Sequence, residues 1–426
     1  MRNSSMLSAD RIPHVRPGLA PPLIHGTAAL TKRAFGGEDL DSLLASVQRP
    51  AASVEESAAC LLDASCVLQL GFRREQGLRI QAKALRQCRV FRVARGNAAA
   101  EPSLRLLALV APGDLMVNTP LDFITGEVNV ELTLLYVVPG FPLPAAVPDH
   151  DAAFFAVSES DPGTLDRLRP LYAAWPRPVL NDPAQVARLS RDELSRGLAG
   201  LNPICSPPTI RAGRAEVEAW ASQAAPRATW DGFPVLVRPF GSHAGANLAK
   251  ANTPDDLAAY LAQSTAESFY ATRFVDYRGV DGLYRKYRVA CVGGAPYLCH
   301  MAASEHWMVH YLNAGMADCA EKRVDEALAM AEFDVGFARR HRAGFEALDR
   351  WMGLDYYQLD CGETRDGRLL IFEADVAAIV HAMDPPDLYP YKPPQMRRVF
   401  AAFEAMLRRR AGEAPGLKLL GADAAA

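Results

Sequence analysis

Apolar and polar side chains alternate most clearly in two short runs in the C-terminal part of the chain, residues 356–360 (YYQLD) and 369–375 (LLIFEAD). Alternation with a period of two is typical of a β-strand with one buried face. Asp366 and Gly367 lie between the runs and form a strong hairpin-turn signal. The pattern therefore predicts two neighbouring antiparallel strands.

The predicted hairpin carries three carboxylates on one face. Glu373 and Asp375 are two residues apart, and Gln358 and Asp360 share a face by the same count. Three like charges repel one another unless a hard cation lies among them, and oxygen ligands without His or Cys suit magnesium or manganese better than zinc. A second interpretation stays open, in which the hairpin has a solvated polar face at a sheet edge.

Helical spacing of apolar residues dominates residues 53–93, in two blocks broken near Gly71. The spacing predicts a helical hairpin within residues 46–98, faintly similar to one tetratricopeptide unit. A helix pair that docks on the rest of the protein is favoured over a peptide-binding array, because one repeat cannot bury its own faces. Residues 1–45 show no sustained period and are predicted to be a flexible arm.

Three continuous apolar runs follow, at residues 104–110, 130–138 and 152–157. With helical segments between them, they predict an α/β layer with a mostly parallel sheet over residues 99–200. Ligands usually lie at the carboxyl ends of such strands. No Gly-x-Gly-x-x-Gly fingerprint follows the first strand, which argues against a dinucleotide cofactor.

A further strand, predicted at residues 233–239 (FPVLVRP), contains Arg238 near its end and leads into a glycine-rich loop, residues 241–247. Glycines let backbone N–H groups converge on an anion without obstruction by side chains, and Arg238 would add a fixed positive charge. A plain hairpin loop is the alternative, since glycine turns between strands are common.

Two cations share one face of the strand predicted at residues 283–292 (LYRKYRVACV), because Lys286 and Arg288 are two residues apart. Such charges also protect the edge of a sheet, so a solvated edge strand is the alternative interpretation. Other predicted elements include a strand at residues 269–275, helices at 254–263, 321–351 and 395–411, and a disordered tail at 413–426.

Composition narrows the classes of function. A chain of 426 residues, 50% of them hydrophobic, is long enough for two or three domains. The net charge of -3 provides no general attraction for nucleic acid or membranes, and no apolar run is long enough to cross a bilayer. The N-terminus lacks the apolar core of a signal peptide, so a cytoplasmic location is expected. The 8 cysteines have no metal-binding or disulfide spacing and are expected to be reduced.

The motifs occur in a particular order: a strand ending in a cation, a glycine loop, a hinge-like strand, a Lys/Arg strand, and a hairpin with Asp and Glu-x-Asp. In this order the chain resembles the ATP-grasp superfamily of carboxylate–amine ligases, such as glutathione synthetase and ribosomal-protein modification ligases. The resemblance implies an α/β fold, α+β within the grasp, with a Rossmann-like domain before it. It implies a lid subdomain at residues 201–275 and a C-terminal subdomain at 276–412.

The resemblance also implies roles for individual residues, with ATP held between the two subdomains together with magnesium or manganese. The residues implied to bind ATP are Arg238, Gly241, Ser242, His243, Gly245, Asn247, Arg273, Phe274, Val275 and Asp281, with Asp276 as an alternative partner of the ribose. The implied metal ligands are Asp360, Glu373 and Asp375. The residues implied at the acyl-transfer centre are Lys286, Arg288 and Asn313, with His310 and His381 as candidate substrate contacts.

Two residues depart from the usual pattern of the superfamily. Asp375 stands where an asparagine is usual, and the extra negative charge is expected to tighten metal binding and to weaken phosphate binding. Arg238 stands where a lysine usually contacts phosphate, and its planar, bulkier fork is expected to change the geometry of the bound phosphate. Both departures keep the type of group that the chemistry needs.

The resemblance implies an ATP-dependent ligase that activates a carboxylate as an acyl phosphate and joins it to an amine. The carboxylate would belong to a small molecule or a peptide, and no nucleic acid or membrane partner is expected. Two alternatives stay open: a kinase of the same fold, and a non-catalytic nucleotide-binding scaffold that holds a partner through the helical pair. The oligomeric state is also open, with a homodimer as one option.

Overall fold

The computed structural model describes residues 11–95, 101–222, 232–242 and 245–412. Within these residues the chain forms two compact units. The first unit contains the described residues up to Ala187, then Val376–Met383, and the described residues from Phe400 onward. The second unit contains the described residues of Arg188–Asp375 and of Asp384–Val399.

The first unit is a mixed α/β structure. In chain order its elements are β1 (His14–Arg16), β2 (Leu23–Ile24), α1 (Thr27–Phe35), α2 (Leu40–Val47), α3 (Val54–Leu70), α4 (Arg74–Gln87), β3 (Val90–Val93), β4 (Leu104–Val110), α5 (Asp122–Thr125), β5 (Val130–Tyr136), β6 (Ala146–Pro148), β7 (Ala152–Phe155), α6 (Pro162–Ala174), β8 (Val179–Leu180) and α7 (Pro183–Val186).

Six of these strands form one sheet in the order β2-β3-β5-β4-β7-β8. Every neighbouring pair is parallel except β3 and β5. Strand β4 is buried along nearly its whole length, as expected for a central strand of a parallel sheet covered on both faces. The predicted α/β layer with a mostly parallel sheet is confirmed.

The prediction of a flexible arm was wrong for residues 11–45, which form β1, β2, α1 and most of α2. Leu30 of α1 and Leu43 of α2 are fully buried and pack with Val67 of α3. The sequence pattern missed these elements because each is too short to show a sustained period. Residues 1–10 of the predicted arm and residues 413–426 of the predicted tail lie outside the described residues.

The predicted helical hairpin is confirmed as α3 and α4, and Gly71 at the turn donates its N–H to the carbonyl of Val67 at 3.0 Å. The prediction was wrong for the last part of residues 53–93, which forms strand β3 rather than helix. There Phe91 and Val93 are buried and alternate with half-buried neighbours. That period of two is the pattern of a strand.

The second unit contains two sheets. In chain order its elements are α8 (Arg191–Leu198), β9 (Ile204–Cys205), β10 (Thr209–Gly213), α9 (Arg214–Ser222), β11 (Val235–Pro239), β12 (Ala249–Ala251), α10 (Pro254–Gln263), β13 (Ser268–Arg273), β14 (Tyr284–Val292), β15 (Ala295–Ser304), a 3₁₀ turn (Tyr311–Asn313), α11 (Ala320–Ala331), α12 (Phe337–Arg340), α13 (Arg342–Met352), β16 (Tyr356–Glu363), β17 (Leu369–Asp375) and the first part of α14 (Lys392–Ala411).

The smaller sheet has the order β10-β13-β11-β12 and is antiparallel throughout. One of its faces packs on α9 and α10 through a core that includes Val217, Trp220, Leu257 and Phe269. The larger sheet has the order β15-β14-β16-β17-β9, with only the β17–β9 pair parallel. This larger sheet positions the charged residues described below.

Two further predictions concern the chain as a whole. All 8 cysteines lie within the described residues, and all are free thiols, four of them buried. No described helix combines the length and the apolar character that crossing a bilayer requires.

Candidate active site

The acidic hairpin forms as predicted. Strands β16 and β17 are antiparallel, with Asp360 opposite Glu373 and Gln358 opposite Asp375. Gly367 closes the turn with a φ of 78°, a left-handed conformation that glycine adopts readily. Because residues opposite one another in a ladder point to the same face, the three carboxylates share one face of the sheet.

Strand β14 brings the two predicted cations to Asp360. Nε of Arg288 donates to Oδ1 of Asp360 at 2.8 Å, and a terminal guanidinium nitrogen donates to Oδ2 at 2.9 Å. Nζ of Lys286 donates to the same Oδ2 at 2.9 Å. Strand β14 lies between β15 and β16, so the interpretation of residues 283–292 as a solvated edge is wrong.

The Asp360 side chain is only 8% exposed. Burial disfavours its charged form, but Arg288 and Lys286 reverse this effect and hold the pKa of Asp360 well below its usual value. Asp360 is therefore ionised and fixed in place by two cations. A charge-assisted bidentate pair of this kind is strong and geometrically specific.

A third cation, Arg191, binds the second carboxylate of the hairpin. Its guanidinium lies 2.7 Å from Oε1 of Glu373. Burial opposes ionisation, but Arg191 lowers the pKa of Glu373 below its usual value. Arg191 was not predicted, because it lies on α8, more than 180 residues before its partner, within the stretch assigned to the preceding α/β layer.

The carboxylates of the hairpin are held by protein groups. Both oxygens of Asp360 accept hydrogen bonds from cations, and Glu373 is paired with Arg191. In the amide orientation that satisfies both of its neighbours, Gln358 donates to Oδ1 of Asp375 at 3.3 Å. Among the described residues, no group of three or more His, Cys, Asp or Glu side chains is arranged to hold a metal ion. In this arrangement the carboxylate oxygens are bound by protein groups, and the assignment of magnesium or manganese to Asp360, Glu373 and Asp375 stays a prediction.

Arg238 lies near the end of β11, just before the glycine loop that leads to β12. Its side chain is 7% exposed, and Nε donates to Oγ of Ser242 at 2.9 Å. Burial, together with nearby Arg191, lowers the pKa of Arg238 to about 10. In this arrangement the guanidinium holds the first residues of the loop.

The loop itself turns through left-handed conformations at Gly241, Gly245 and Asn247, which have φ angles of 74°, 73° and 55°. The flanking strands β11 and β12 are antiparallel, so the loop is the turn of a hairpin. This geometry is compatible with both interpretations of the glycine-rich stretch, and its predicted contact with phosphate stays a prediction. His243 lies outside the described residues.

The segment predicted to meet the adenine edge, residues 273–275, begins at Arg273, the last residue of β13. The ring of Phe274 meets Trp307 edge-on with centroids 6.0 Å apart, and Nζ of Lys250 lies 3.8 Å from the Phe274 centroid. The next residue, Val275, packs against an apolar cluster of the unit. Lys250 carried no signal in the sequence, because it is a single cation in the three-residue strand β12.

The two candidate ribose partners are both bound to arginines. Asp276 lies 2.8 Å from Arg278, and Asp281 lies 2.7 Å from Arg285. The hydrogen bond from Arg278 lowers the pKa of Asp276 to about 2. Both aspartates are part-exposed, at 31% and 43%, so a hydroxyl donor has access to either.

Asn313 and His310 define a tight turn. Oδ1 of Asn313 accepts the N–H of His310 at 3.2 Å, and the Asn313 N–H donates to the His310 carbonyl at 3.0 Å. Burial and the charges of Lys286 and Arg288 lower the pKa of His310, which is consistent with a position near those cations. His381 belongs to the first unit, where its Nδ1 accepts a backbone N–H two residues further on.

A buried ion pair, which was not predicted, anchors the turn that contains His310 and Asn313. Glu326 is fully buried, Lys392 is 3% exposed, and the Nζ–Oε1 distance is 3.6 Å. Oε2 of Glu326 accepts the hydroxyls of Tyr311 at 2.8 Å and Tyr391 at 2.7 Å. Nζ of Lys392 also lies 4.1 Å from the centroid of the Tyr311 ring. Because Tyr311 begins the turn that contains Asn313, the ion pair fixes the position of that segment.

The chain was also compared with known proteins. No protein-family model matches it, and no curated protein does. Among solved structures it is similar to a RimK domain protein ATP-grasp from Sphaerobacter thermophilus, with 18% identity over 72% of this chain and 99% of that chain and a TM-score of 0.38. It is also similar to VanG D-Ala:D-Ser ligase from Enterococcus faecalis, with 12% identity over 72% of this chain and 99% of that chain and a TM-score of 0.45.

A third similar structure is the D-alanine–D-alanine ligase from Bacillus anthracis complexed with ATP, with 12% identity over 72% of this chain and 97% of that chain and a TM-score of 0.39. All three TM-scores lie below 0.5.

Proposed function

We propose that this protein is an ATP-dependent ligase that activates a substrate carboxylate as an acyl phosphate and joins it to an amine. The observation that carries the proposal is the position of Lys286 and Arg288, held on one sheet face by buried Asp360 and beside Glu373. Two adjacent cations with fixed geometry suit an anion with several oxygens, such as the terminal phosphate of ATP.

The reaction has two steps. In the first, an oxygen of the substrate carboxylate attacks the γ-phosphorus in line, and the bond from that phosphorus to its bridging oxygen breaks, which gives an acyl phosphate and ADP. In the second, the amine nitrogen attacks the acyl carbon, phosphate leaves, and the nitrogen loses a proton. Lys286 and Arg288 stabilise the negative charge that develops on the transferred phosphoryl group and on the tetrahedral intermediate.

Other residues of the second unit have supporting roles in this proposal. The glycine loop provides backbone N–H groups for the phosphates, and Arg238 orders the loop through Ser242. Lys250, beside Phe274, is a further cation available to the nucleotide.

Asn313 lines the transfer site on a turn that the Glu326–Lys392 ion pair holds in place. Magnesium or manganese stays a proposed cofactor to which no step is assigned.

The proposal is tested by measuring ADP release with pairs of carboxylic acids and amines, including amino acids and short peptides. Hydroxylamine is then added in place of the amine, because it converts an acyl phosphate into a stable hydroxamate. ADP release with hydroxamate formation supports the ligase. ADP release with a stable phosphorylated hydroxyl product and no hydroxamate indicates a kinase, and no ADP release above background with any pair indicates a nucleotide-binding scaffold.

A further inference from the structure

His300 of β15 was not predicted as a site residue, but it lies directly opposite Arg288 in the β14–β15 ladder. Opposite residues of an antiparallel ladder point to the same face of the sheet. The imidazole therefore shares a face with Arg288, and with Asp360 on the next strand. Its ring also meets the ring of Tyr311 edge-on, with centroids 4.8 Å apart. His300 thus adjoins both Arg288 and the turn that contains Asn313.

The two ring nitrogens of His300 differ in their surroundings. Nδ1 is buried without a hydrogen-bond partner, so a substrate cannot reach it. Nε2 forms no hydrogen bond with any described residue either, but it is not sealed from solvent, and the side chain as a whole is part-exposed. Nε2 is therefore the nitrogen that a substrate is able to contact.

The surroundings of His300 keep its ring neutral. Burial lowers the pKa of His300 well below its usual value, and the charges of Arg288, Lys392 and Lys286 lower it further, against the opposing effect of Asp360. A neutral imidazole carries one N–H, on either nitrogen. An N–H at Nδ1 would be a buried donor without an acceptor in a positively charged neighbourhood, which is unfavourable. The proton therefore resides on Nε2 and makes the accessible nitrogen a donor.

A neutral donor beside two cations suits an oxygen that is uncharged before the reaction. In the proposed function, on which this inference rests, Lys286 and Arg288 hold the charged phosphoryl oxygens. The acyl oxygen of the acyl phosphate is neutral at first and becomes negatively charged when the amine adds. A hydrogen bond to that oxygen strengthens as the charge develops, so it favours the transition state over the ground state.

We propose that Nε2 of His300 donates a hydrogen bond to the acyl oxygen of the acyl phosphate. His300 is then a catalytic residue of the second step. When the amine nitrogen attacks the acyl carbon, the electron pair of the carbonyl bond moves onto the acyl oxygen, and the Nε2–H stabilises the resulting oxyanion. The carbonyl bond re-forms as phosphate leaves with its electron pair, and the imidazole keeps its proton throughout.

Two small phosphonates separate recognition of the acyl oxygen from recognition of the phosphate. Acetylphosphonate has a carbonyl group bonded to its phosphorus and resembles an acyl phosphate, whereas ethylphosphonate has a methylene group in place of that carbonyl. Ligand-observed saturation-transfer NMR on the full chain, with ADP present, measures the affinity of each. We expect both to bind to the wild type, acetylphosphonate about fivefold more tightly, as one additional hydrogen bond provides.

Paired substitutions assign this preference to His300. His300→Phe keeps an aromatic ring against Tyr311 but has no donor, so the preference for acetylphosphonate should disappear while ethylphosphonate binding is unchanged. His300→Gln keeps a neutral N–H donor and should keep the preference. The control is His14→Phe, at an exposed histidine on β1 of the first unit, and it should match the wild type.

A long-range ¹H–¹⁵N correlation spectrum of the wild type at pH 7 tests the proton position without relying on the folding of His300→Phe. The His300 signals are assigned by their absence from His300→Gln, and we expect a neutral ring with its proton on Nε2. A proton on Nδ1 or a doubly protonated ring would overturn the proposal.

The outcomes distinguish the two proposals. Equal affinity of the wild type for both phosphonates, or an unchanged preference in His300→Phe, would overturn the role of His300 and leave the proposed phosphate site intact. If neither phosphonate bound to the wild type, the proposed function would fail and the role of His300 with it. With a substrate pair found by ADP release, His300→Phe should lower kcat about 100-fold at unchanged KM for ATP, and an unchanged kcat would overturn the proposal.

Discussion

Arg288 binds both carboxylate oxygens of Asp360, at 2.8 and 2.9 Å, from the position directly opposite on the neighbouring strand. Backbone register and side-chain geometry therefore fix the same pair. Lys286, two residues before Arg288, binds one of the same oxygens. The position of both cations depends on one buried carboxylate, so a change at Asp360 affects the proposed phosphate site and the stability of the sheet together.

Asp360→Asn is expected to lower the free energy of unfolding by about 3 kcal/mol, because it leaves two cations beside a buried neutral group. Chemical denaturation with urea measures the change. Asp334→Asn is the matched control, since Asp334 pairs with Arg398 at 2.5 Å but is 56% exposed, and it should change stability by less than about 1 kcal/mol. Similar effects of the two substitutions would contradict the central role of Asp360.

The same pair predicts a pH dependence of stability. The pKa of Asp360 in the folded protein is depressed below the value of about 3.9 that is typical of an unfolded chain. The stabilisation is therefore present above about pH 4 and is lost as the pH falls toward the folded pKa. The difference in unfolding free energy between the wild type and Asp360→Asn should be constant from about pH 8 to pH 5 and narrow below pH 4. A difference that widens in acid would contradict this assignment.

Arg288→Lys keeps the positive charge but removes the fork that binds two oxygens at once. We expect ADP release to fall about 100-fold while the far-ultraviolet circular dichroism spectrum is unchanged. Arg342→Lys is the control, because Arg342 forms an ion pair with Glu346 on a helix surface and is 79% exposed. If both variants retained full activity, Arg288 would have no role in the reaction.

Metal removal tests the role predicted for the acidic hairpin. Treatment with EDTA should abolish ADP release, and an excess of magnesium or manganese should restore it. Glu373→Ala should prevent this recovery at every metal concentration and lower the free energy of unfolding by only about 1 kcal/mol, because its pair with Arg191 is part-exposed. A Glu373→Ala variant with normal metal-dependent turnover would contradict the assignment. Full activity in EDTA would show that the carboxylates serve only to hold the side chains of Lys286, Arg288 and Arg191.

The buried pair of Glu326 and Lys392 should behave as one unit. Lys392→Met alone leaves a buried carboxylate without its cation and is expected to lower the free energy of unfolding by about 3 kcal/mol. The double variant Lys392→Met/Glu326→Gln should lose less than the sum of the two single variants. Urea denaturation of the four proteins completes the cycle. Additive losses would show that the two residues do not interact.

Sequence periodicity predicted the elements that depend on local order. The hairpin of β16 and β17, the same-face cations of β14 and the helical pair α3–α4 each follow from spacing within a few residues. The partners of those elements come from distant parts of the chain. Arg191 meets Glu373 across more than 180 residues, and no local pattern marks an arginine on an ordinary amphipathic helix as the partner of a particular carboxylate.

The second gap in the prediction concerns buried polar residues. Glu326 lies in a helix with ordinary amphipathic spacing, and Lys392 lies in a proline-rich stretch, so each looks like a surface charge in the sequence. Only the fold shows that both are buried. Short elements were missed for a related reason, since Leu30 and Leu43 become core residues through packing on α3 rather than through a long apolar run.

Two ladder irregularities adjoin the Arg288–Asp360 pair. The β14–β15 register shifts between Arg288 and Val289, and the β16–β17 register shifts between Asp360 and Cys361. A shift of one residue moves every later side chain to the opposite face. The β14–β16 ladder, which joins Arg288 to Asp360, has no such shift, so the meeting of acid and base depends on the residue count of these two strands as well as on their chemistry. An insertion or deletion of a single residue inside β14 or β16 would separate Arg288 from Asp360 even if every charged residue were retained. The turn at Gly367 lies outside the ladder that joins these two residues, so its length has room to vary.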